Sequence, residues 1–407
     1  MKPLQHELDA AKMMLQHDRV LLFDQMGVGK TVSTLIALQQ IKKAHTGPFK
    51  VLICVPNTIV GQWLSECEKW LSWPCVVAVG SQAERETKYY AFETNDDYSI
   101  LITTYGNFVR DKFFDQFSAD VLVLDEGWVF RNRSTKLYCQ LKALIPKFSK
   151  CFLLSGNFES FTDRQFYYLV DLMFPDQFVL SDKNSLSMQL LNGDKFLFRR
   201  LDEVSDAVPV VNMNWTGLDC TYNQLDKLDK LVRKENIAIR NNMGSKSLRR
   251  LNNAKLRVLL SPRITNLMED RAPKEQFIID SIRNCSDKLV VYCSDLKFFN
   301  VLRTDLPENK FVFISGAMSS KIRARNVGIF QNDPNCQCLL LSGVGKFGLS
   351  LQCANRLIFA TVPRTKFELD QVIGRLLRLT QDQTIFCDVL YMKDTAEEDQ
   401  VRLLKSK

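Results

Sequence analysis

Residues 21–34 read LLFDQMGVGKTVST, an apolar run joined to a helix-like pattern through a glycine turn. Glycines let backbone N–H groups approach phosphate oxygens, and the N-terminus of the following helix adds a partial positive charge. Lys30 would then reach the β and γ phosphates of a nucleotide, and the Thr31 hydroxyl would hold Mg²⁺. The full pattern GxxxxGKS/T fails at its first glycine, where Asp24 stands. Taken alone, the segment could also be a glycine turn with a surface lysine. The residues assigned to the nucleotide are Met26, Gly27, Val28, Gly29, Lys30 and Thr31.

An acidic pair follows a later apolar run. Residues 121–124 read VLVL, and Asp125 and Glu126 come next. Asp125 fits the binding of Mg²⁺, and Glu126 fits a general base that acts on the attacking water. An Asp-Glu pair after a strand is usually a solvated loop. Together with the loop at Lys30, the pair favours a nucleoside triphosphatase.

A third element of such a site is a cation for the transferred phosphoryl group. Residues 370–381 read DQVIGRLLRLTQ, with Arg375 and Arg378 three positions apart. This spacing predicts that both arginines lie on one side of a helix, from where a second lobe would supply them to the nucleotide. A helix with two surface arginines is the alternative.

Short apolar runs recur along the chain with helical patterns between them, which is typical of parallel β-sheets. The first series lies at residues 20–23, 51–55, 99–103, 119–124 and 151–154. The second series lies at residues 288–293, 311–314, 338–341, 356–360 and 385–390. Between the two series, residues 221–260 have helical character and many charges. We therefore predict an α/β fold with an N-terminal nucleotide-binding lobe (1–185), a helical connecting region (186–285) and a C-terminal lobe (286–407).

Composition limits the other classes of function. The formal net charge of +8 permits a polyanionic partner without requiring one. The 12 cysteines are scattered through apolar segments and form no CxxC pair, so structural zinc and disulfides are not expected. The N-terminus does not resemble a signal peptide, and no apolar run reaches the length of a membrane helix. We expect an intracellular, soluble protein without a membrane partner, in the nucleus if eukaryotic or in the infected host cell if viral.

The order and spacing of these segments resemble superfamily 2 helicases, and within them the Swi/Snf-type DNA translocase ATPases. In the first lobe the matching segments are DQMGVGKT (24–31), VPNTIVGQWLSECEKW (55–70), ITTY (102–105), DEGWVFRN (125–132) and LSG (154–156). FLFRRLDEV (196–204) is similar to the brace of the family, and RVLLSPRI (257–264) is similar to a second segment that most superfamily 2 enzymes lack. Further matches lie at residues 314–330, 340–351 and 370–381.

The resemblance implies two RecA-like lobes and roles for further residues. Gln5 would recognise adenine, and Gly348 would also contact the nucleotide. The residues implied in coupling hydrolysis to movement are Trp128, Ser155, Gly156 and Gln371. Trp128 stands where the family has the histidine of its DExH box, and Asn157 replaces the threonine of a later motif. These departures indicate a divergent, minimal two-lobe member, from a virus, a phage or a mobile element.

The resemblance also implies a partner, which is duplex DNA bound through its phosphate backbone without sequence preference. The candidate contacts are Pro56, Asn57, Thr104, Tyr105 and Lys346. The basic region at residues 233–257 either lines the DNA track or is a solvated helical face. A protein partner could direct the motor to its target.

Three functions remain open from the sequence. The first is a DNA-stimulated translocase that hydrolyses ATP with Mg²⁺ and remodels duplexes or displaces bound protein. The second is a strand-separating helicase that acts on DNA or RNA. The third is a binding subunit with a degenerate ATPase fold. Retention of the loop lysine, the acidic pair and both arginines argues against the third.

Overall fold

The structure is a computed structural model that describes residues 2–156, 158–205, 208–343, 351–377, 381 and 383–406, with only the backbone of Ser320. The chain divides into two compact units, Met1–Val208 and Pro209–Lys407. The boundary between the units therefore falls inside the predicted connecting region, residues 186–285. Within the described ranges, no helix combines the length and the apolar character that a membrane span needs.

The first unit is built on a seven-stranded sheet with the order β3-β4-β2-β5-β6-β1-β7. Every pair of neighbouring strands in this sheet is parallel. Its strands are β1 (Arg19–Leu22), β2 (Val51–Val55), β3 (Cys75–Ala78), β4 (Ile100–Thr104), β5 (Val121–Leu124), β6 (Lys150–Leu154) and β7 (Phe196–Leu197). Its helices are α1 (Gln5–Gln16), α2 (Lys30–Ala44), α3 (Val60–Trp70), α4 (Gln82–Thr94), α5 (Tyr105–Arg110), α6 (Lys136–Leu144), α7 (Asp163–Met173), α8 (Lys183–Asn192) and α9 (Leu201–Val204).

The second unit has a six-stranded sheet with the order β10-β11-β9-β12-β13-β8, again with parallel neighbours. Its strands are β8 (Val211–Leu218), β9 (Leu289–Cys293), β10 (Phe311–Ile314), β11 (Cys338–Ser342), β12 (Arg356–Phe359) and β13 (Ile385–Met392). Its helices are α10 (Tyr222–Arg240), α11 (Ser245–Leu260), α12 (Pro273–Asn284), α13 (Leu296–Arg303), α14 (Ser320–Asn332), α15 (Lys366–Ile373) and α16 (Ala396–Lys405).

The predicted fold class is confirmed, since both units are α/β with parallel sheets. The central strands β2, β5, β9 and β11 are buried at every position, because crossover helices cover parallel sheets on both faces. This burial explains why the strands read as continuous apolar runs. The helical character predicted for residues 221–260 corresponds to the pair α10 and α11.

Three strands were not predicted, namely β3, β7 and β8, and each lies at an edge of its sheet. An edge strand has a neighbour on one side only and can be less buried than a central strand. Strand β8 reads VNMNWTGL, and none of its residues is fully buried. Strand β7 has only two residues, Phe196 and Leu197.

Candidate nucleotide-binding site

The glycine loop connects β1 to α2, as its sequence predicts. Gly27 and Gly29 have positive φ angles of 90° and 103°, which side-chain-bearing residues rarely adopt. Helix α2 begins at Lys30 and has Gly29 as its N-cap, so the first backbone N–H groups of the helix follow the loop directly. This is the local arrangement that binds a phosphate group.

The Lys30 side chain lies back across the loop. Its Nζ donates to the carbonyl oxygens of Asp24, at 2.5 Å, and Gln25, at 3.1 Å. Gly156 faces the same place, because a Cβ there would lie 2.5 Å from Met26 Cγ and 3.3 Å from Lys30 Nζ. A side chain at position 156 would therefore push into the loop.

Helix α1 packs against the other side of the loop. His6 Nε2 lies 2.7 Å from the Val28 carbonyl oxygen. Glu7 accepts a hydrogen bond from the Leu4 backbone N–H at 2.8 Å, and its other carboxyl oxygen would be 2.3 Å from a Cβ on Gly29. Burial raises the pKa of Glu7, although its hydrogen bond from Leu4 acts in the opposite direction. The start of α1 thus lies in direct contact with the glycine loop.

Gln5, which the resemblance assigns to adenine, is the first residue of α1. Its side chain is exposed and donates to Asp9 Oδ1 at 2.9 Å. It is adjacent in sequence to His6, which contacts the loop, so its place is consistent with a role beside the nucleotide. Adenine recognition by Gln5 stays a prediction.

Asp24, the residue that replaces the first glycine of the usual pattern, forms a buried ion pair. Its side chain is 1% exposed and contacts Arg199, whose Nη2 and Nε lie 2.5 Å and 3.2 Å from the two carboxylate oxygens. Arg199 also donates to the His6 carbonyl oxygen at 2.7 Å. One guanidinium group therefore connects the segment after β7, the end of β1 and helix α1. In the sequence, the only sign of this ion pair is Asp24, which stands where the usual pattern has a glycine.

The acidic pair lies at the same edge of the sheet as the glycine loop. Strands β5 and β1 both neighbour β6, and the carboxyl ends of parallel strands meet at one edge. Asp125 and Glu126 follow β5, while Ser155 and Gly156 follow β6. The topology therefore brings the predicted nucleotide loop, acids and coupling residues of the first unit together.

Each carboxylate of the pair accepts an indole N–H. Trp63 Nε1 donates to Asp125 Oδ2 at 2.9 Å, and Trp128 Nε1 donates to Glu126 Oε2 at 3.0 Å. Asp125 Oδ1 accepts the Glu126 backbone N–H at 2.7 Å. Glu126 has a left-handed backbone conformation with φ 60° and ψ 52°. Sequence reasoning did not assign a role to Trp63, although its motif had been noted.

The donor chemistry of this edge suits Mg²⁺, which prefers oxygen ligands and usually binds through one or two carboxylates plus substrate phosphates. Asp125 offers a carboxylate and Thr31, in the first turn of α2, offers a hydroxyl. In the described part of the chain, no group of three or more His, Cys, Asp or Glu side chains could hold a metal ion by itself.

The predicted nucleic-acid contacts of the first unit fall into two kinds. Asn57 is exposed and Pro56 is half-buried, just after β2. The side chains of Thr104 and Tyr105 are buried: Thr104 caps helix α5, and the Tyr105 hydroxyl donates to the Asp125 carbonyl oxygen. At these last two positions, a contact with a nucleic acid would come from the backbone.

The prediction that Arg375 lies in a helix is wrong. Helix α15 ends at Ile373 with Gly374 as its C-cap, and Arg375 lies in the turn that follows. Gly374 has a right-handed backbone conformation, with φ −62° and ψ −7°, and the chain continues in a turn. Arg375 is buried, and its Nη2 donates to Gln371 Oε1 at 3.3 Å. Arg378, Lys346, Gly348 and Asn157 lie outside the described residues.

Comparison with known proteins identifies the family. Residues 6–246 match the family model of the SNF2-related domain, and residues 273–380 match that of the helicase conserved C-terminal domain. The uncharacterized ATP-dependent helicase YqhH of Bacillus subtilis is 22% identical over 452 residues, covering 100% of this chain and 78% of that protein. The ATP-dependent helicase fft1 of Schizosaccharomyces pombe is 25% identical over 484 residues, covering 95% of this chain and 50% of that protein.

The chain thus spans only half of fft1, and it spans 25% of the TATA-binding protein-associated factor mot1 of Aspergillus fumigatus. Among solved structures, the Sulfolobus solfataricus SWI2/SNF2 ATPase core in complex with dsDNA matches 100% of this chain and 91% of that chain, with 20% identity and a TM-score of 0.46. Because the SNF2-related match covers more than half of the sequence, the chain belongs to the SNF2-related family of helicase-like proteins.

Proposed function

We propose that the chain is a DNA-stimulated ATPase that converts ATP hydrolysis into movement along duplex DNA. The observation that carries the proposal is the common sheet edge of the first unit, where the loop at Lys30 follows β1 and the pair Asp125 and Glu126 follows β5, the two strands that flank β6. Family membership supports the direction of the proposal, since relatives are named ATP-dependent helicases.

In the proposed reaction, the backbone N–H groups of the glycine loop and the start of α2 bind the phosphates, and the Lys30 ammonium neutralises them. The Lys30 side chain would exchange its present carbonyl partners for phosphate oxygens. Mg²⁺, held by Thr31 and Asp125, would compensate the charge of the terminal phosphates. Glu126 would orient the attacking water and accept its proton.

The second unit would contribute guanidinium groups. Arg375 and Arg378 are the candidates, and an arginine supplied to a phosphoryl group is worth about 10³ to 10⁵ in rate. Because Arg375 is buried beside Gln371, it would act from a fixed position rather than from a mobile side chain. Alternation between two arrangements of the units would then drive movement on DNA.

Duplex DNA is the proposed track. Helices α10 and α11 carry ten Lys and Arg against three Asp and Glu within residues 222–260, a large share of the net positive charge of the chain. Among described residues, Arg240, Lys246, Arg249 and Arg250 form no salt bridge, and all four are exposed. Phosphate contacts of this kind give strong salt dependence and little sequence preference.

The decisive experiment is the ATPase rate with double-stranded DNA, single-stranded DNA, RNA or no nucleic acid, at one stated salt concentration. We expect a severalfold increase with double-stranded DNA. Lys30→Ala and Glu126→Gln should reduce hydrolysis to background, whereas Lys43→Ala, an exposed lysine at the end of the same helix α2, should not. Equal ATPase rates with and without nucleic acid would refute the proposed motor function.

Strand separation is the second candidate, because one matching family model and several relatives carry the name helicase. Two assays distinguish a translocase from a strand-separating helicase, namely displacement of a triplex strand and unwinding of a forked duplex. The translocase proposal expects efficient triplex displacement with weak unwinding. Efficient unwinding with the same protein would favour the helicase.

A further inference from the structure

We propose that Trp63 and Trp128 are positioning residues, each of which holds one of the two acidic groups through its indole N–H. The proposal rests on the proposed function of the site. It assigns Trp63 to Asp125, which would bind Mg²⁺, and Trp128 to Glu126, which would activate water.

Trp63 contacts Asp125 from a helix that lies far from Asp125 in the sequence. It lies on α3, which follows β2, the strand next to β5. The side chain is 1% exposed, so packing holds the ring in one orientation. Its Nε1 contacts Asp125 Oδ2 at 2.9 Å, while Asp125 Oδ1 accepts the Glu126 N–H at 2.7 Å. Both oxygens of the Asp125 carboxylate are therefore oriented by N–H donors.

Trp128 acts within its own turn. The left-handed backbone at Glu126 reverses the chain, and the following turn, Gly127–Phe130, brings the indole back to the Glu126 carboxylate at 3.0 Å. The Arg131 guanidinium lies 5.6 Å from the centre of the Trp128 ring. An indole at this position supplies one N–H donor, as a neutral imidazole would.

The choice of indole has a chemical consequence. An indole N–H donates a hydrogen bond but carries no charge and does not ionise, unlike the donors of lysine and arginine. It can therefore fix the direction of a carboxylate without neutralising it.

The test uses three Trp→Phe variants, which keep an aromatic ring and remove the N–H. Trp63→Phe should raise the Mg²⁺ concentration for half-maximal nucleotide binding about 10- to 100-fold, the usual effect of losing a partner of a metal ligand. Trp128→Phe should leave that concentration and KM unchanged and lower kcat by a similar factor. Trp128→His should recover part of the loss, because imidazole restores an N–H donor.

Trp70→Phe is the matched control. Trp70 lies on the same helix as Trp63, and its Nε1 donates to Glu66 at 3.0 Å. It offers the same chemistry away from the acidic pair, so nucleotide binding and kcat should match those of the wild type. An equal effect of all three substitutions would show a general structural role and would overturn the proposal.

A spectroscopic measurement does not depend on turnover. The five tryptophans give five indole N–H signals in a ¹⁵N-labelled protein, and each Trp→Phe variant identifies one of them. Addition of Mg²⁺ with a non-hydrolysable ATP analogue should shift the Trp63 and Trp128 signals more than the Trp70 signal. Unchanged Trp63 and Trp128 signals under saturating nucleotide would overturn the proposal.

Different results would refute the proposed function and the positioning role of the two tryptophans. A wild-type protein without nucleic-acid-stimulated ATPase would refute the proposed function. A wild-type protein with that activity, in which Trp63→Phe and Trp128→Phe leave Mg²⁺ dependence and kcat unchanged, would refute only the positioning role.

Discussion

Removal of the Arg199 side chain should destabilise the first unit strongly. The Asp24 carboxylate is 1% exposed, and the Arg199 guanidinium is 16% exposed. Arg199→Ala leaves this buried carboxylate without its cation, and breaking such a pair costs about 3 to 5 kcal/mol. For a unit of this size, that cost corresponds to a decrease in Tm of roughly 6 to 20 °C.

The neighbouring residue provides the control. Arg200 pairs with Glu159, but both side chains are more than half exposed, at 54% and 62%. An exposed pair contributes at most about 1 kcal/mol, so Arg200→Ala should change Tm by a few degrees at most. Scanning calorimetry of the full chain, with and without nucleotide, measures both variants and identifies the transition of the nucleotide-binding unit by its stabilisation.

A second substitution tests the cause. If the cost arises from an unpaired buried charge, then Asp24→Asn in the Arg199→Ala background should recover part of the lost Tm, because the amide carries no charge. Equal Tm values for Arg199→Ala and Arg200→Ala, or no recovery in the double variant, would refute the reasoning. The outcome also bears on the phosphate loop, because the Asp24 carbonyl oxygen accepts a hydrogen bond from Lys30.

Three other predictions concern the loop, the pH dependence and the DNA track. Gly29→Ala should weaken nucleotide binding, measured by titration. The backbone φ of 103° at position 29 costs an alanine about 1 to 2 kcal/mol, and the alanine Cβ would lie 2.3 Å from a Glu7 oxygen. A nucleotide affinity equal to that of the wild type would contradict this prediction. Burial acts to raise the pKa of Asp111, but hydrogen bonding and charge from Arg85 lower it overall. Asp111 therefore stabilises the fold above the ordinary aspartate pKa of about 4, and this contribution is lost as pH falls through the lowered value. Urea unfolding at several pH values in that acidic range should show that the free energy of unfolding falls less steeply with pH in Asp111→Asn than in the wild type. An equal pH dependence in the two proteins would contradict this prediction. Arg249→Ala should reduce the slope of log K against log salt for duplex DNA by about 1, and an unaltered slope would remove this residue from the track.

The sequence predicted most of the architecture because the central strands are locally encoded. Strands β2, β5, β9 and β11 are buried on both faces, and the ends of their predicted apolar runs lie within two residues of the strand ends. The edge strand β8 was missed, since half-exposed positions interrupt its apolar pattern. The end of α15 was also missed, because the helix ends at Ile373, before Arg375.

The sequence by itself determined the glycine loop, the acidic pair and the strand rhythm, because each depends on residues that are neighbours along the chain. Only the tertiary structure revealed which side chains hold them. Trp63 and Asp125 are 62 positions apart, and Arg199 and Asp24 are 175 positions apart. These contacts follow from the strand order β3-β4-β2-β5-β6-β1-β7, in which strands distant in sequence become neighbours. A local pattern carries no information about such neighbours, so the partners of the site residues appear only after the sheet is assembled.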